Sequence, residues 1–536
     1  MAWTGRQTLT RLAVAVVTLA ALVAAGPAVS AGTVGGQAPT GPGGPLAVTA
    51  NGAVRGVAKG TVDEFLGLPY AAPPVGALRW QPPQPAASWT GVRDATAFGP
   101  HCPQSASPFG EASMSENCLF LNVFTPSHNK PGAGHPVMVW IHGGALVTGE
   151  SNDYDPTQLV EDGVTVVTIN YRLGALGFLA DTALASAPGG PSGDYGLMDQ
   201  QAALRWVQGN IGGFGGDPRN VTLFGESAGG LSVLAQLASP GARGLFQRAI
   251  VESGIYDTDG LAQQSQASAE SSGAAFAAAV GCADNSAAST AACLRGLSVS
   301  TILETENAGA YYPNVDSAVL PQSIGTALAS GQFSHVPVII GTNHDEYRLF
   351  IGGDQLGGAP PVTAADYVAD ISSTLSLPAS TASVVAREYP LSGYSSPALA
   401  LGAVGTDAMF ACTALTAEKD LSKYTPTYAY EFSDENAPNR NLPSFGFPYG
   451  AAHTFELQYL FDLSNTAYPG TLSAPQQQLA QAMKQDWTNF AKAGVPASGW
   501  PSFTASDQRA LSLVPPRPQL ETDYAAEHHC SFWSTL

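Results

Sequence analysis

The chain has 536 residues, of which 45% are hydrophobic and only 12% are charged, so it holds enough apolar material for a large core. Its 42 acidic and 22 basic residues give a formal net charge of −20, which disfavours the neutralisation of phosphates, and we expect no nucleic-acid partner. The composition also excludes a collagen, a coiled coil and a multi-span membrane protein.

Residues 1–31 have the organisation of a secretory signal peptide. Arg6 and Arg11 precede a largely apolar run at residues 12–25, and small residues follow up to Ala31, which is the order of a charged segment, an apolar segment and a cleavage site. The alternative is an uncleaved membrane anchor, but the run is shorter than the roughly 20 residues that a span needs. We therefore expect a secreted, extracellular protein with no membrane span in the mature chain, whose net charge would be 20 − 42 = −22.

The rest of the chain predicts one large α/β domain. Residues 32–46 are rich in glycine and proline and predict a flexible leader. Between residues 47 and 536, short apolar runs alternate with helical patterns, which favours a mostly parallel, buried central sheet. We expect a single domain with loop and helical insertions, one of them in the Ala/Ser-rich residues 261–300. The predicted strands are 136–141, 164–171, 221–224, 248–252, 336–341 and 427–432.

The first of these strands leads into the glycine-rich turn His142-Gly143-Gly144-Ala145. Alone, such a sequence is an ordinary turn. Its backbone N–H groups gain significance if a nucleophile lies nearby, because an oxyanion needs preorganised donors.

A candidate nucleophile follows the strand at 221–224. Ser227 is the centre of a G-x-S-x-G pattern formed with Gly225 and Gly229, and a helical pattern continues to residue 239. In a glycine-rich chain this pattern can arise by chance. The strand–turn–helix context, however, is the one that exposes a nucleophilic serine, and the N–H of Ala228 would face the developing oxyanion.

In this architecture an acid and then a histidine follow the serine along the chain. The apolar strand at 336–341 precedes Asp345 and Glu346, and the residues alone do not separate these two acids. His453, in a loop-like stretch, is the favoured base, whereas His528 is expected to pack structurally beside the C-terminus. The histidines that follow Ser227 are His335, His344, His453, His528 and His529.

Six cysteines after a signal peptide suggest three disulfides, for which 15 connectivities are possible. No C-x-x-C pair is present in the sequence, so neither a zinc ribbon nor a thioredoxin-like redox site is supported.

Together these features resemble the type-B carboxylesterase/lipase family, the cholinesterase-like branch of the α/β-hydrolases. The likeness covers nearly all of residues 45–536 and implies an α/β-hydrolase fold, with a mostly parallel central sheet flanked by helices. It rests on several motifs in order: FLGLPYA (65–71), SENCLFLNV (115–123), NYRLG (170–174), FGGDPRNVTLFGESAGG (214–230), GTNHDE (341–346) and CSFW (530–533).

The resemblance assigns roles to individual residues. It implies Ser227 as nucleophile, Glu346 rather than Asp345 as the acid, and His453 as the base. The other residues it implies are oxyanion donors at Gly144, Ala145 and Ala228, a supporting serine at Ser253, and disulfides Cys102–Cys118, Cys282–Cys293 and Cys412–Cys530.

The sequence departs from the family pattern in two places. Many members have a third glycine where this chain has Ala145, and the loop at 103–117 lacks the tryptophan that binds choline in cholinesterases. We therefore do not expect selectivity for choline esters. Alignment places the acyl-pocket positions at Asn307 and Gly309, with Phe350 as a further lining residue, and predicts a pocket wider than that of acetylcholinesterases.

The predicted function is that of a secreted serine carboxylesterase that cleaves small-molecule esters through an acyl-enzyme, as an assumed monomer. No cofactor and no metal are implied. The alternatives are a triacylglycerol lipase or an amidase with the same site, and, from another class, a catalytically inactive adhesion or scaffold protein.

Overall fold

The computed structural model describes residues 43–127, 131–185, 192–255, 263–284, 286–306, 311–463, 468, 470–497 and 499–536. The predicted signal peptide, most of the predicted leader, and the acyl-pocket candidates Asn307 and Gly309 lie outside the described residues.

The strands of the described chain form a large central sheet, a small N-terminal sheet and a short pair. They are β1 (Leu46–Thr49), β2 (Gly52–Arg55), β3 (Val57–Lys59), β4 (Val62–Pro69), β5 (Val92–Asp94), β6 (Phe120–Pro126), β7 (His135–Ile141), β8 (Thr165–Ile169), β9 (Gly216–Glu226), β10 (Arg248–Glu252), β11 (Gln264–Ser265), β12 (Asn314–Val315), β13 (Val338–Asn343), β14 (Thr427–Phe432), β15 (Ala510–Leu513) and β16 (Gln519–Glu521).

The central sheet has eleven strands in the order β16-β15-β14-β13-β10-β9-β7-β8-β6-β4-β3. Its middle, from β15 to β8, is parallel, whereas pairing is antiparallel at both edges. Parallel strands are buried on both faces, which explains the continuous apolar runs from which these strands were predicted. Each of the six predicted strands is present, with ends shifted by up to five residues.

Side chains from alternate positions of the parallel strands fill two cores, one on each face of the sheet. In β7, Val139 belongs to the larger core and the neighbouring Trp140 to the other; in β9, Leu223 and Phe224 divide in the same way. Both faces of the sheet are therefore covered, and a functional site can form only at the ends of its strands.

Helices cover the sheet and supply the insertions. They are α1 (Thr157–Glu161), α2 (Gly174–Phe178), α3 (Tyr195–Asn210), α4 (Ala228–Ala238), α5 (Gln266–Ala279), α6 (Ala287–Gly296), α7 (Val299–Thr305), α8 (Ile324–Ser330), α9 (Arg348–Leu356), α10 (Tyr367–Leu375), α11 (Ala379–Glu388), α12 (Pro397–Thr406), α13 (Cys412–Leu421), α14 (Ala474–Ala493), α15 (Tyr524–Glu527) and α16 (Cys530–Trp533). The expected helical insertion at 261–300 corresponds to α5, α6 and the start of α7.

A π-helical turn at Asp407–Ala411 joins α12 to α13, so the helix is continuous from Pro397 to Leu421. Among the described residues this is the one helix that is long and apolar enough to cross a membrane. No such stretch was expected from the sequence. Because 78% of its most apolar stretch is buried inside the protein, this helix is part of the core.

Three disulfides join the pairs that the resemblance implies. Cys102–Cys118 and Cys282–Cys293 close short loops, whereas Cys412–Cys530 ties the C-terminal helix α16 to α13 across 118 positions of sequence.

Candidate active site

Ser227 lies at the tight turn between β9 and α4, at the carboxyl edge of the parallel strands. Its φ of 56° is unusual for a residue with a side chain, and its N–H donates to the carbonyl of Glu252 at 2.9 Å. A Cβ at Gly229 would lie 2.0 Å from the carbonyl oxygen of Ile141, and one at Gly225 would lie 2.6 Å from it. Both glycines of the pattern are thus required by the close approach of β7.

The glycine-rich turn after β7 faces this serine. A Cβ built on Gly143 would lie 3.1 Å from Cβ of Ser227, which places the turn against the nucleophile. Gly144 has φ 98°, and Ala145 and Leu146 follow with φ of 55° and 62°. The N–H groups of Val147 and Thr148 both donate to the carbonyl of Gly144 at 3.0 Å, so the turn closes on itself. Within the described residues, the N–H groups of Gly144 and Ala145 have no backbone acceptor.

His142 anchors the start of this turn in the core. Its ring stacks on Tyr171 at 4.5 Å between centroids, and the Tyr171 hydroxyl donates to the His142 carbonyl at 2.9 Å. Burial lowers the pKa of His142 to about 4, so the ring is neutral and serves as packing.

Glu346, in the loop after β13, pairs with His453. Its Oε2 lies 2.6 Å from Nδ1 of the imidazole, and its Oε1 accepts the N–H of Asn343 at 2.8 Å. Both side chains are buried. Asp345 does not make this contact, because its carboxylate accepts from Arg348 at 2.8 Å and from the N–H of Ala451 at 3.0 Å. Of the two acids that the residues alone left open, Glu346 is the one that contacts His453; its catalytic role stays a prediction.

The other ring nitrogen of His453, Nε2, lies 3.2 Å from Oε1 of Glu226. Within the described part of the chain, no hydrogen bond joins His453 to the Ser227 hydroxyl. Two phenylalanine rings pack beside the imidazole, Phe350 with its centroid at 5.2 Å and Phe410 at 5.4 Å. Phe410 lies in the π-helical turn and was not found from the sequence.

Four glutamates are buried together behind the serine and the histidine: Glu226, Glu252, Glu346 and Glu456, each at most 2% exposed. Burial, with the negative charge of neighbouring glutamates, raises the pKa of Glu226 and Glu252 well above the ordinary value. Burial and the charge of Glu346 raise the pKa of Glu456 to about 7. These shifts favour the protonated forms of Glu226, Glu252 and Glu456. Glu346 is the member of the cluster that contacts the imidazole.

Hydrogen bonds hold two members of this cluster in place. The indole N–H of Trp487 donates to Glu252 Oε1 at 2.9 Å, and the Asn343 amide donates to Glu456 Oε2 at 2.5 Å. Glu226 lies within the serine motif, and Glu456 lies three residues after His453. These positions in the sequence did not predict that the four glutamates lie together.

Ser253 follows β10 and is fully buried, with φ 48°. Its N–H donates to the carbonyl of Gly341 at 2.9 Å, and its hydroxyl has no hydrogen-bond partner among the described residues. Its support of the site stays a prediction.

The other histidines after Ser227 have different surroundings. His528 is buried between Asp407, 2.6 Å from Nδ1, and Glu431, 2.5 Å from Nε2. Although burial disfavours the charged ring, these carboxylates raise the pKa of His528 to about 10. His335 is exposed and contacts the carbonyl of Gly331.

Potential metal ligands in the described residues include the group His344, Asp345 and Glu435, whose ligand atoms lie within 4.8 Å of one another. The Asp345 carboxylate is already bound by His344 and Arg348, and we assign no ion to this group.

Comparison with known proteins connects this geometry to a family. The carboxylesterase family profile matches residues 44–533. The para-nitrobenzyl esterase of Bacillus subtilis is 36% identical over 490 residues, which cover 87% of this chain and 94% of that protein. The cocaine esterase of Homo sapiens is 35% identical, covering 86% of this chain and 85% of the relative. The fumonisin B1 esterase of Sphingopyxis macrogoltabida is also 35% identical, with coverage of 85% and 84%.

Proposed function

Because the chain belongs to the carboxylesterase family of carboxylic-ester hydrolases, we propose that it cleaves its esters through an acyl-enzyme formed on Ser227. Glu346 and His453 complete the proposed triad. The observation that carries this proposal is the 2.6 Å contact between Glu346 and His453, next to a serine that a tight strand–helix turn presents to the turn at Gly143. The contact between Glu346 and His453 is the one that an orienting acid makes with its base.

In the acylation step, His453 Nε2 accepts the proton of Ser227 as Oγ attacks the ester carbonyl carbon. The N–H groups of Gly144, Ala145 and Ala228 donate hydrogen bonds to the carbonyl oxygen and stabilise the negative charge that develops on it. The buried Glu346 carboxylate stabilises the imidazolium, which then returns its proton to the departing alcohol. Water repeats these steps on the acyl-enzyme and releases the carboxylic acid.

For the first proton transfer, Nε2 of the His453 imidazole has to accept a hydrogen bond from the Ser227 hydroxyl. In the structure this nitrogen lies 3.2 Å from Oε1 of Glu226. Burial raises the pKa of the Glu226 carboxyl well above its ordinary value, which favours the uncharged form of that neighbour. Catalytic hydrogen bonds are often long in a free enzyme and tighten when substrate is bound.

The surroundings of His453 support an apolar substrate. The Phe350 and Phe410 rings pack on the imidazole, and apolar walls bind acyl chains through the area that they remove from water. The loop at 103–117 offers no tryptophan for a quaternary ammonium group. We propose uncharged, apolar small-molecule esters as the substrate class.

We also propose that the protein is exported. The segment at 1–31 has the composition of a signal peptide, and three disulfides are compatible with an oxidising compartment.

The test is hydrolysis of p-nitrophenyl butyrate by the purified protein, with labelling by an organophosphate. Ser227→Ala is expected to abolish the label and to lower kcat by several orders of magnitude. Ser239→Ala removes the hydroxyl of another buried serine, just after α4. This variant should retain both the organophosphate label and the wild-type kcat. Near-normal turnover by Ser227→Ala, with the label on another serine, would refute the assignment. Emulsified triacylglycerols and aryl amides, assayed in parallel, distinguish an esterase from a lipase or an amidase.

A further inference from the structure

The segment at residues 143–150, called the oxyanion loop below, adopts a backbone that needs external support. Ala145 and Leu146 carry side chains but have positive φ values of 55° and 62°, a conformation that costs free energy for L-residues. Such a segment keeps its shape only when its surroundings hold it. The proposed donors, Gly144 and Ala145, belong to this segment, and donor position is critical for oxyanion stabilisation.

Gln104 binds the far end of the oxyanion loop. Its Oε1 accepts the N–H of Gly149 at 2.7 Å and the hydroxyl of Thr148 at 2.6 Å, and its Nε2 donates to the carbonyl of Gly149 at 3.1 Å. One amide therefore satisfies both backbone polar groups of Gly149. The side chain is fully buried, so water cannot replace it as a partner.

Gln104 is itself held by the loop that the Cys102–Cys118 disulfide closes. Its backbone N–H and carbonyl exchange hydrogen bonds with Ser113 at 3.1 and 3.0 Å, inside the same loop. Its Nε2 also lies 3.4 Å from the carbonyl of Cys102. The amide thus projects from a cross-linked support.

Further contacts join the same two segments. The hydroxyls of Ser107 and Thr148 lie 2.8 Å apart, and His101 Nδ1 lies 2.5 Å from Oε2 of the buried Glu150. A Cβ at Gly110 would lie 2.9 Å from the nitrogen of Gly149, so the two segments are in direct contact.

We propose that Gln104 is a positioning residue for ester hydrolysis, which keeps the N–H groups of Gly144 and Ala145 aimed at the oxyanion. The inference rests on the proposed function. It also accounts for the residue type, because the Gln104 amide offers an acceptor to the N–H of Gly149 and a donor to the carbonyl of the same residue. The hydrogen bonds of Gln104 in the described chain go to Cys102, Ser113, Thr148 and Gly149 and not to the proposed triad. Its effect should therefore be on transition-state stabilisation and much less on substrate binding.

The test compares Gln104→Ala with the wild type on p-nitrophenyl butyrate, per active site counted by organophosphate titration. We expect kcat to fall about 10- to 100-fold with KM changed less than about 3-fold, since preorganised donors act mainly in the transition state. The inhibition constant of a trifluoromethyl ketone, which forms a tetrahedral adduct on Ser227, should rise by about the factor lost in kcat/KM.

Gln476→Ala is the matched control. Gln476 is also buried and makes three hydrogen bonds, to Ser473, Asp434 and Asn436 at the start of α14. It should lose thermal stability while kcat per active site is retained. A Gln104→Ala enzyme with kcat within about twofold of the wild type, or an equal loss in Gln476→Ala, overturns the inference.

Two milder variants cover the case in which Gln104→Ala does not fold. Gln104→Glu keeps the acceptor but loses the donor to Gly149, and Thr148→Val removes one hydroxyl at nearly constant volume. Each should lower kcat about 3- to 10-fold, and unchanged kcat in both would overturn the inference. If the wild type cleaves esters and these variants do so equally well, only the role of Gln104 is refuted. If the wild type has no esterase activity, the proposed function and the inference are both refuted.

Discussion

Glu346 Oε2 lies 2.6 Å from Nδ1 of His453, in a setting where both side chains are buried. The preceding acid, Asp345, binds Arg348 instead. These two adjacent carboxylates thus have different partners, so substituting one or the other should affect activity differently.

Glu346→Gln should lower kcat by about 10³- to 10⁴-fold, because an amide does not stabilise the imidazolium as a carboxylate does. Asp345→Asn should cost less than about 10-fold in kcat and should act mainly on stability, through its contacts with Arg348 and Ala451. Steady-state kinetics and thermal melts of both variants check this ranking. The reverse order of kcat losses would move the acid by one position.

Much of this architecture could be predicted from the sequence because buried parallel strands carry continuous apolar runs. The strands β7, β9, β10 and β14 were found in that way. The α/β-hydrolase fold and the membership of the carboxylesterase family, both implied by the resemblance, are confirmed. Strands of the antiparallel part of the sheet, such as β4 and β6, were not predicted, because their sequences mix polar residues with apolar ones.

The parts that escaped prediction depend on packing between distant segments. Phe410 reaches His453 from a π-helical turn, Glu456 joins a carboxylate cluster, and Gln104 binds Gly149 from 45 positions away. None of these contacts has a periodic or local signature, since each follows from the tertiary fold. These contacts were found only from the interatomic distances in the structure.

The disulfides should stabilise the fold unequally. In the chain-entropy model, the link across 118 positions between Cys412 and Cys530 contributes about 5 kcal/mol, whereas the link across 11 positions between Cys282 and Cys293 contributes about 3 kcal/mol. Urea unfolding of the two double Cys→Ala variants measures both losses. Equal losses, or a larger loss for the shorter loop, would contradict the entropic ranking.

Stability should fall as the pH rises through the titration of Glu456. Burial and the charge of Glu346 raise the pKa of Glu456 from its ordinary value of 4.5 to about 7. Below pH 4.5 both folded and unfolded chains hold the proton and the contribution is fully present. Between about pH 4.5 and 7 the unfolded chain loses the proton first, so the free energy of unfolding decreases.

Glu456→Gln removes this titration while keeping an oxygen for Asn343. Thermal melts from pH 4 to 8 should therefore decline less steeply in this variant than in the wild type. Glu435→Gln makes the same charge change at an exposed position and should follow the wild-type slope. Parallel slopes for Glu456→Gln and the wild type would mean that Glu456 is ionised throughout.

The acyl preference should depend on the two aromatic rings beside the base. Phe350 and Phe410 stack at 6.1 Å between centroids and both contact His453, so they line the space next to the proposed base. The wide acyl pocket predicted from the sequence depends on Asn307 and Gly309. It stays a prediction, and Gly309→Phe tests it.

Phe350→Ala should raise the ratio of kcat/KM for p-nitrophenyl hexanoate over the acetate by about 5- to 10-fold. Each methylene accommodated in an apolar pocket is worth roughly 1 kcal/mol or more, and removal of a half-buried ring opens room for several. Phe410→Leu should shift the ratio in the same direction by less, because leucine still fills part of the site. Tyr424→Ala serves as the control, since Tyr424 precedes β14 and so lies at the opposite edge of the sheet from the site. If neither phenylalanine variant changes the ratio relative to this control, the acyl chain does not lie against these rings.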